Sequence, residues 1–366
     1  MIKKILCIVG VMDQGGAETF LMKIYRKLDK TKYQMDFCVT EEKEGFYHEE
    51  IEKMGGKIHR VTRKTQNPIK SYLEIMNLVK ENNYKNIIRI SSNSITVIDL
   101  LAAKMGGAKN LIFRSSNSNN SGNKMVDIIH KLFKPLVRVI PNVKIAPSDL
   151  AAIHMFGKKE YNNGKITLLN NGLDIEKFKY NENYRNEIRN KYNIADKTMV
   201  IGHIGRFSEQ KNHKFLINVF EKYKNEKNND SILMLIGKGE LEDNIKEMVK
   251  EKGMDDSVFF LGTQKEVNKY YQAFDLVVFP SLYEGMPNVI IEAQCSGLNC
   301  VLSDTITKQA NLTNRLNFLS LNSSLEEWTY LIKKSEEREK VYLKLMEQNY
   351  DIDYVTKLFV EKCFKY

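Results

Sequence analysis

Nothing in this chain invites its cysteines to pair. The five, Cys7, Cys38, Cys295, Cys300 and Cys363, are scattered over 366 residues with neither zinc-site nor disulfide spacing, and four sit in apolar contexts. Buried thiols in a reducing compartment are the expectation. No stretch approaches the roughly 20 apolar residues that span a bilayer. The opening Met-Ile-Lys-Lys-Ile-Leu-Cys-Ile-Val-Gly has the charge and apolar run of a signal peptide, but the run is short and Asp13 follows. A first β-strand is the better reading. No aromatic–basic RNA motif occurs, and a basic half alone is weak ground for nucleic acid. An Asp-x-Asp pair stands at Asp351-Ile352-Asp353 near the C terminus, where capping or solvating a helix is expected.

Acidic charge is scarce in one half only. Residues 1–178 hold 29 Lys+Arg against 18 Asp+Glu, and residues 179–366 hold 27 against 28, so the first half carries all of the net +10. Within it, 124–140 mixes Lys124, Lys131, Lys134 and Arg138 with large apolar side chains. Such a segment lies on an anionic membrane surface or packs as a helix with a solvated basic face. A second basic stretch, Lys57 to Lys70, is more loop-like.

The length exceeds what one core usually supports, so two domains are expected. Strand and helix patterns alternate throughout, which predicts parallel sheets covered on both faces. In the first half strands fit Ile5–Val9, Gln34–Val39, Lys57–Arg60, Asn86–Ile90, Asn110–Arg114, Val143–Ala146 and Ile166–Leu169, with helices such as Glu18–Lys27, Pro68–Glu81 and Ser94–Met105. In the second they fit Met199–Ile204, Ile232–Ile236, Val258–Leu261, Leu276–Phe279 and Asn299–Leu302. The boundaries expected are 1–178 and 179–349.

The densest chemistry is at 284–292, Glu-Gly-Met-Pro-Asn-Val-Ile-Ile-Glu. The preceding Asp275–Ser281 reads as a buried parallel strand, and Pro287 suits a helix start. Glu284 then sits in the loop at the strand's C-terminal end, and Glu292 lies more than a turn into the helix. Ligands of open α/β sheets bind at that edge. Helix-start N–H groups near Asn288 and Val289 suit an anion, while the two carboxylates suit sugar or ribose hydroxyls. Glu292 stands among Val289, Ile290, Ile291 and Ala293, so it needs partners. After another strand come Gly205, Arg206 and, five residues on, Lys211, whose cations suit a pyrophosphate gathering charge as it departs. Gly15-Gly16 opens a helix after the first strand and lets backbone approach a ligand. Gly237-Lys238-Gly239 and Leu261-Gly262-Thr263 are strand-end turns near the same edge.

These residues together resemble retaining glycosyltransferases of the GT-B fold, family 4, and within it bacterial capsule and exopolysaccharide enzymes. The Glu284–Glu292 segment is similar to the family's Glu-x7-Glu signature. Gly202-His203-Ile204-Gly205-Arg206-Phe207 with Gln210-Lys211-Asn212 resembles its phosphate-binding stretch, and Gly15-Gly16-Ala17-Glu18 its first loop. The resemblance runs over nearly the whole chain. It implies two Rossmann-like doubly wound domains facing across a cleft, with a segment from about Tyr350 to Tyr366 crossing back onto the first. It also implies Glu292 on ribose hydroxyls, Glu284 on the donor sugar, and backbone groups near Met286, Asn288 and Val289 on phosphate and sugar. Gly237 would approach the nucleotide, the Gly262 loop the base, and Gly15 and Gly16 the donor phosphates or sugar.

The expected reaction is retaining transfer of a hexose from a uridine diphosphate sugar to a saccharide on polyprenyl diphosphate. No cofactor or metal is expected, since Arg206 and Lys211 serve the phosphates. The expected place is the cytoplasm, peripheral on the inner face of the membrane. One departure stands out: many family members carry a first-domain His at a strand end, where this chain reads Phe113-Arg114-Ser115-Ser116-Asn117 and Arg89-Ile90-Ser91-Ser92-Asn93. Arg114, Ser116 and Asn117 are the candidates to replace it on the acceptor side, and His130 and His154 read as structural. The missing His keeps open a silent, binding-only partner; a nucleotide-sugar epimerase is a weaker alternative.

Overall fold

The computed structural model describes residues 2–13, 15–41, 43–116 and 124–366. They form two compact units, Met1–Gly172 with Asn349–Tyr366, and Leu173–Gln348. Each is a parallel sheet covered by helices.

The first sheet has seven strands: β1 (Lys3–Ile8), β2 (Tyr33–Val39), β3 (Ile58–Arg60), β4 (Asn86–Ser91), β5 (Asn110–Ser115), β6 (Val143–Ala146) and β7 (Thr167–Leu168), in the order β3-β2-β1-β4-β5-β6-β7. Successive strand residues point to opposite faces, and here both faces are buried. Ile5 and Cys7 of β1 join a core with Phe20, Tyr25, Phe37 and the C-terminal Val355 and Phe359. Leu6 and Ile8 join the opposite core with Ile75, Val79, Leu100 and Phe113. The C-terminal helix Ile352–Cys363 therefore belongs to this unit. Asp351 caps it, and Asp353 pairs with Lys27 at 3.2 Å.

The second sheet comprises β8 (Met199–Ile204), β9 (Ser231–Ile236), β10 (Val258–Phe260), β11 (Leu276–Phe279), β12 (Asn299–Ser303) and β13 (Leu316–Leu319), in the order β10-β9-β8-β11-β12-β13. Both sheets reverse direction beside their first strand, at β1/β4 and at β8/β11, and that reversal opens a crevice at the strands' C-terminal ends. The expected doubly wound α/β class is what the chain adopts. β13 has no counterpart among the expected strands: Leu-Asn-Phe-Leu is short and lies at the sheet edge, paired only with β12. The expected helix Ser94–Met105 begins as a 3₁₀ turn, Ser94–Thr96, before the α-helix Val97–Met105.

Buried arginines tie the second unit together. Asp275, only 2% exposed, faces Arg185 at 2.8 Å and Arg189 at 3.3 Å, and its Oδ2 accepts the Val200 N–H at 2.8 Å. That carboxylate joins the starts of β11 and β8. Arg338 donates to the carbonyls of Tyr271, Gln272, Phe274 and Ser296 at 2.9–3.1 Å, satisfying the ends of two helices. Removing one partner of a buried pair leaves the other charge uncompensated. Asp275→Ala is expected to lower stability by about 3–5 kcal/mol, read as a shift of the urea midpoint; a loss near zero would contradict the pinning role.

Candidate functional site

The crevice at β8/β11 is made by two loops stitched together. The Leu282 N–H donates to the Gln210 carbonyl at 2.8 Å, the Gln210 side chain to the Tyr283 carbonyl at 2.9 Å, and Asn212 Nδ2 to the Pro280 carbonyl at 3.2 Å. Asn212 takes a left-handed φ of 54°, which asparagine tolerates better than most residues. Glu284 is held further by a parallel bridge to Ile306 beyond β12.

This stitching brings Lys211, after β8, onto Glu284, after β11. Their ammonium and carboxylate form an ion pair, with the two side chains only 16% and 12% exposed. The Lys211 Nζ lies 4.7 Å from the centroid of Phe279, whose ring stacks on His203 at 5.3 Å. His203 Nδ1 lies 2.9 Å from the Val278 carbonyl oxygen, which only accepts, so Nδ1 carries the proton and donates it there. Burial pushes His203 well below its usual range, and burial followed by the Lys211 charge pushes His213 down to about 4. Both rings are thus neutral near neutral pH, which leaves the Lys211–Glu284 pair as the charged groups of the cluster.

Glycines let the loops close. A Cβ on Gly205 would sit 3.0 Å from His203 Nε2 and 3.2 Å from the Lys211 stem. One on Gly237, at φ +145°, would sit 2.0 Å from the Gly205 carbonyl oxygen. The Gly237 N–H in turn donates to the Gly262 carbonyl at 2.9 Å. Gly205, Gly237 and Gly262 therefore form one contiguous edge at the ends of β8, β9 and β10.

Asn288–Cys295 is a helix that Pro287 precedes, with Ile290, Ile291, Ala293 and Cys295 turned into the core. Met286, Asn288, Val289 and Glu292 are half-buried. Tyr271, which sequence reasoning missed, meets this helix: its hydroxyl donates towards Glu292 Oε2 and the Val289 carbonyl, each at 3.0 Å. Burial, then the Glu292 charge, pushes the phenol well up, so it remains a donor. No local motif marks Tyr271; only tertiary packing brings it there.

One expected residue stands apart from the cluster, and one expectation needs correction. Arg206 does not join Lys211: its side chain is 72% exposed and pairs with Glu240 at 3.1 Å. Arg114 is not an open acceptor-side group. It is 1% exposed, stacked 3.7 Å over Phe20, and donates to Asn171 Oδ1 at 2.8 Å and the Leu169 carbonyl at 3.3 Å. Burial pushes it down to about 9. The inward-facing β5 position makes it part of the first unit's core. Ser116 is half-buried just beyond β5, its N–H donating to the Ser91 carbonyl at 3.1 Å, and Asn117 lies outside the described residues. Gly15 caps the helix Gly16–Lys27 and, with Gly16, is exposed. Behind it, Glu18 is raised by burial, an effect opposed in part by Arg89. His130 and His154 stack at 4.8 Å, and His130 holds Ser94 through both Nδ1 and its carbonyl.

Residues 184–350 match the model of the family described as glycosyl transferases group 1. The Bacillus subtilis glycosyltransferase EpsF is 33% identical over 337 residues, covering 91% of this chain and 88% of that protein. This chain belongs to the group 1 glycosyltransferases. A second relative is the Campylobacter jejuni N-acetylgalactosamine-N,N'-diacetylbacillosaminyl-diphospho-undecaprenol 4-alpha-N-acetylgalactosaminyltransferase, 24% identical over 309 residues, 80% of this chain and 78% of that one. Among solved structures, Anabaena HepE in complex with UDP superposes with a TM-score of 0.77 at 17% identity, covering 98% of both chains. That likeness shows the fold, the two-domain GT-B arrangement of parallel sheets.

The neutral histidines beneath this glycosyltransferase's Lys211 make stability pH-dependent. His213 titrates at its ordinary 6.5 when unfolded and about 4 when folded, so between these values the unfolded chain binds more protons. Its contribution is complete above the unfolded value and is lost as pH falls towards the folded one. The drop in urea midpoint from about pH 7 to about pH 5 should be smaller in His213→Phe than in the native protein. Equal drops would contradict a neutral buried imidazole.

Proposed function

We propose that the chain transfers a hexose, with retention, from a uridine diphosphate sugar to a lipid-linked saccharide in cell-surface polysaccharide assembly. The observation that carries this is the Lys211–Glu284 pair in the β8/β11 crevice, beside a helix whose Glu292 is braced by Tyr271. A pyrophosphate seated there gives Lys211 a second anion as the glycosidic bond breaks, and water-poor surroundings strengthen that attraction. Glu284 accepts from sugar hydroxyls, and Glu292 from ribose hydroxyls. Arg206 needs only to release Glu240, an exposed pair of little worth, to add a guanidinium to the phosphates. These cations do the work a divalent metal does elsewhere, so the reading requires none. HepE's complex with UDP is in keeping with the donor, and the C. jejuni relative's diphospho-undecaprenol substrate with the acceptor.

For the chemistry, a front-face course fits best. The C1–O bond to the β-phosphate breaks, the acceptor oxygen bonds to C1 on the same face, and the departing phosphate oxygen takes the acceptor's proton. Titration calorimetry with UDP-glucose, UDP-galactose and their N-acetyl forms, repeated on Glu292→Ala, tests the site. One sugar should bind, about tenfold or more weaker in the variant, the worth of a charge-assisted hydrogen bond. No binding across the panel, or an inverted anomer in the product, would sink the proposal.

The first unit suits a membrane surface. In the helix Lys124–Val139 the apolar residues Met125, Ile128, Leu132, Leu136 and Val139 form a solvent-exposed stripe at helical spacing, Leu132 being 72% exposed. Exposed Lys131 and Arg138 flank it, while Val137 and His130 are buried on the opposite side. No described helix is long and apolar enough to cross a bilayer. An interfacial helix over anionic lipid at the inner face of the cell membrane satisfies both features. Co-sedimentation with phosphatidylglycerol vesicles should be strong in low salt and largely lost in Ile128→Glu/Leu132→Glu; equal binding by the double variant would refute this surface.

A further inference from the structure

A second cavity, of about 570 Å³, lies wholly within the first unit at the C-terminal ends of β2 and β3. It falls in the size range of pockets that hold small ligands, and it sits at the strand edge where open α/β sheets bind them. Lys43, Arg60, Arg63 and Lys70 line it, against the carboxylates of Glu41 and Glu74.

Those carboxylates are already engaged. Glu41 pairs with Arg63 at 2.7 Å, and Glu74 accepts from the Thr62 N–H at 2.6 Å and its hydroxyl at 3.2 Å. Lys43 is paired with Asp13 at 3.1 Å. Lys70 reaches Glu74 only loosely, at 3.8 Å, and no carboxylate of the described residues pairs with Arg60. Among the described residues Arg60 and Lys70 are the least engaged cations of the cavity, while Thr40, Thr62 and Gln66 offer neutral polar groups.

The cavity is also fixed to the first-unit loop that carries Gly15 and Gly16. The Thr40 and Glu41 N–H groups donate to the Gly10 carbonyl, and the Tyr47 N–H to that of Met12, at 2.9–3.2 Å. Gly45 packs so closely that a Cβ there would sit 2.3 Å from the Met12 carbonyl oxygen. With the Lys43–Asp13 pair, these bonds make one continuous edge from β1 to β3.

We infer that this cavity recognises an anionic saccharide, a sugar bearing a carboxylate or a phosphate, as part of the acceptor. The inference rests on the transferase reading above and deepens it. Arg60 and Lys70 take the anion, in bidentate fashion for the guanidinium, and Glu41, Gln66 and the threonines take the ring hydroxyls. A neutral acceptor gains nothing from these cations, so the cavity selects by charge.

Saturation-transfer NMR on the full chain with glucuronate, glucose 6-phosphate, glucose and inorganic phosphate tests this, with UDP titrated separately into the same samples. Glucuronate or glucose 6-phosphate should bind about tenfold or more tighter than glucose, the worth of one charge-assisted hydrogen bond. Whichever of the two leads identifies the anion. Arg60→Gln/Lys70→Gln should abolish the preference while keeping the melting temperature and UDP affinity, because both side chains are exposed. Arg60→Gln alone supplies a second variant should the double variant fail to fold. UDP binding without discrimination among the sugars overturns the anionic cavity and leaves the transferase reading standing. Binding of inorganic phosphate as tight as that of the sugars overturns the saccharide assignment.

Discussion

The Lys211–Glu284 ion pair is the point on which the second unit's crevice depends. Taking a lysine and a glutamate largely out of water costs several kcal/mol per ion, and their attraction repays it only with good geometry. That geometry comes from loop stitching. Gln210, Asn212, Pro280 and Leu282 exchange hydrogen bonds between the ends of β8 and β11, so neither loop sets the position alone. The aromatic floor of Phe279 and His203 lies beneath the lysine, and because the imidazoles are neutral, the ammonium's field is not diluted by a second cation. An apolar pair of similar volume would pack as well; what it would lack is a cation and an acceptor held within reach of one ligand.

The framework behind that crevice adds buried arginines to an apolar core. Arg338 satisfies carbonyls at the ends of the helices that carry Tyr271 and Glu292, while Asp275 joins Arg185 and Arg189 to the backbone of β8. A planar guanidinium with five donors reaches several carbonyls at fixed angles, which a lysine does not. Glu292 therefore owes its position to two shells: Tyr271 holds the carboxylate, and Arg338 holds the backbone of Tyr271. A shift of either helix would move the carboxylate relative to Lys211, and the arginine resists that shift.

How far this was legible varies with the kind of signal. The strands of both sheets read clearly because residues such as Ile5 to Ile8 or Leu276 to Phe279 are apolar on both faces, and their loops carry Gly or Pro. β13 did not, since Leu316–Leu319 includes an exposed Asn317 and its pairing is one-sided. Lys211 and Glu284 are 73 residues apart, and spacing placed each at a strand end without saying that they touch. Arg114 failed for a plain reason: a strand residue's side is set by register, and an arginine on the inner face looks no different in sequence from one on a loop. Tyr271 carried no signal, because a tyrosine in a short helix is ordinary until its neighbour across the fold is known.

The two basic regions of the first half differ in kind, and the difference follows from what surrounds their charges. On the helix Lys124–Val139 the cations flank exposed apolar side chains, so charge and hydrophobic area act on the same surface. Around Arg60 and Lys70 the cations line a concavity with hydroxyls and carboxylates, where apolar area is small and geometry counts for more. Salt weakens the first through screening of exposed charge over a Debye length of about 8 Å at physiological strength. In the second, a guanidinium offers donors of fixed direction beside its charge, so direction as well as charge counts. Net charge alone, in excess over the whole first half that holds both regions, does not separate a surface that adheres from a pocket that selects.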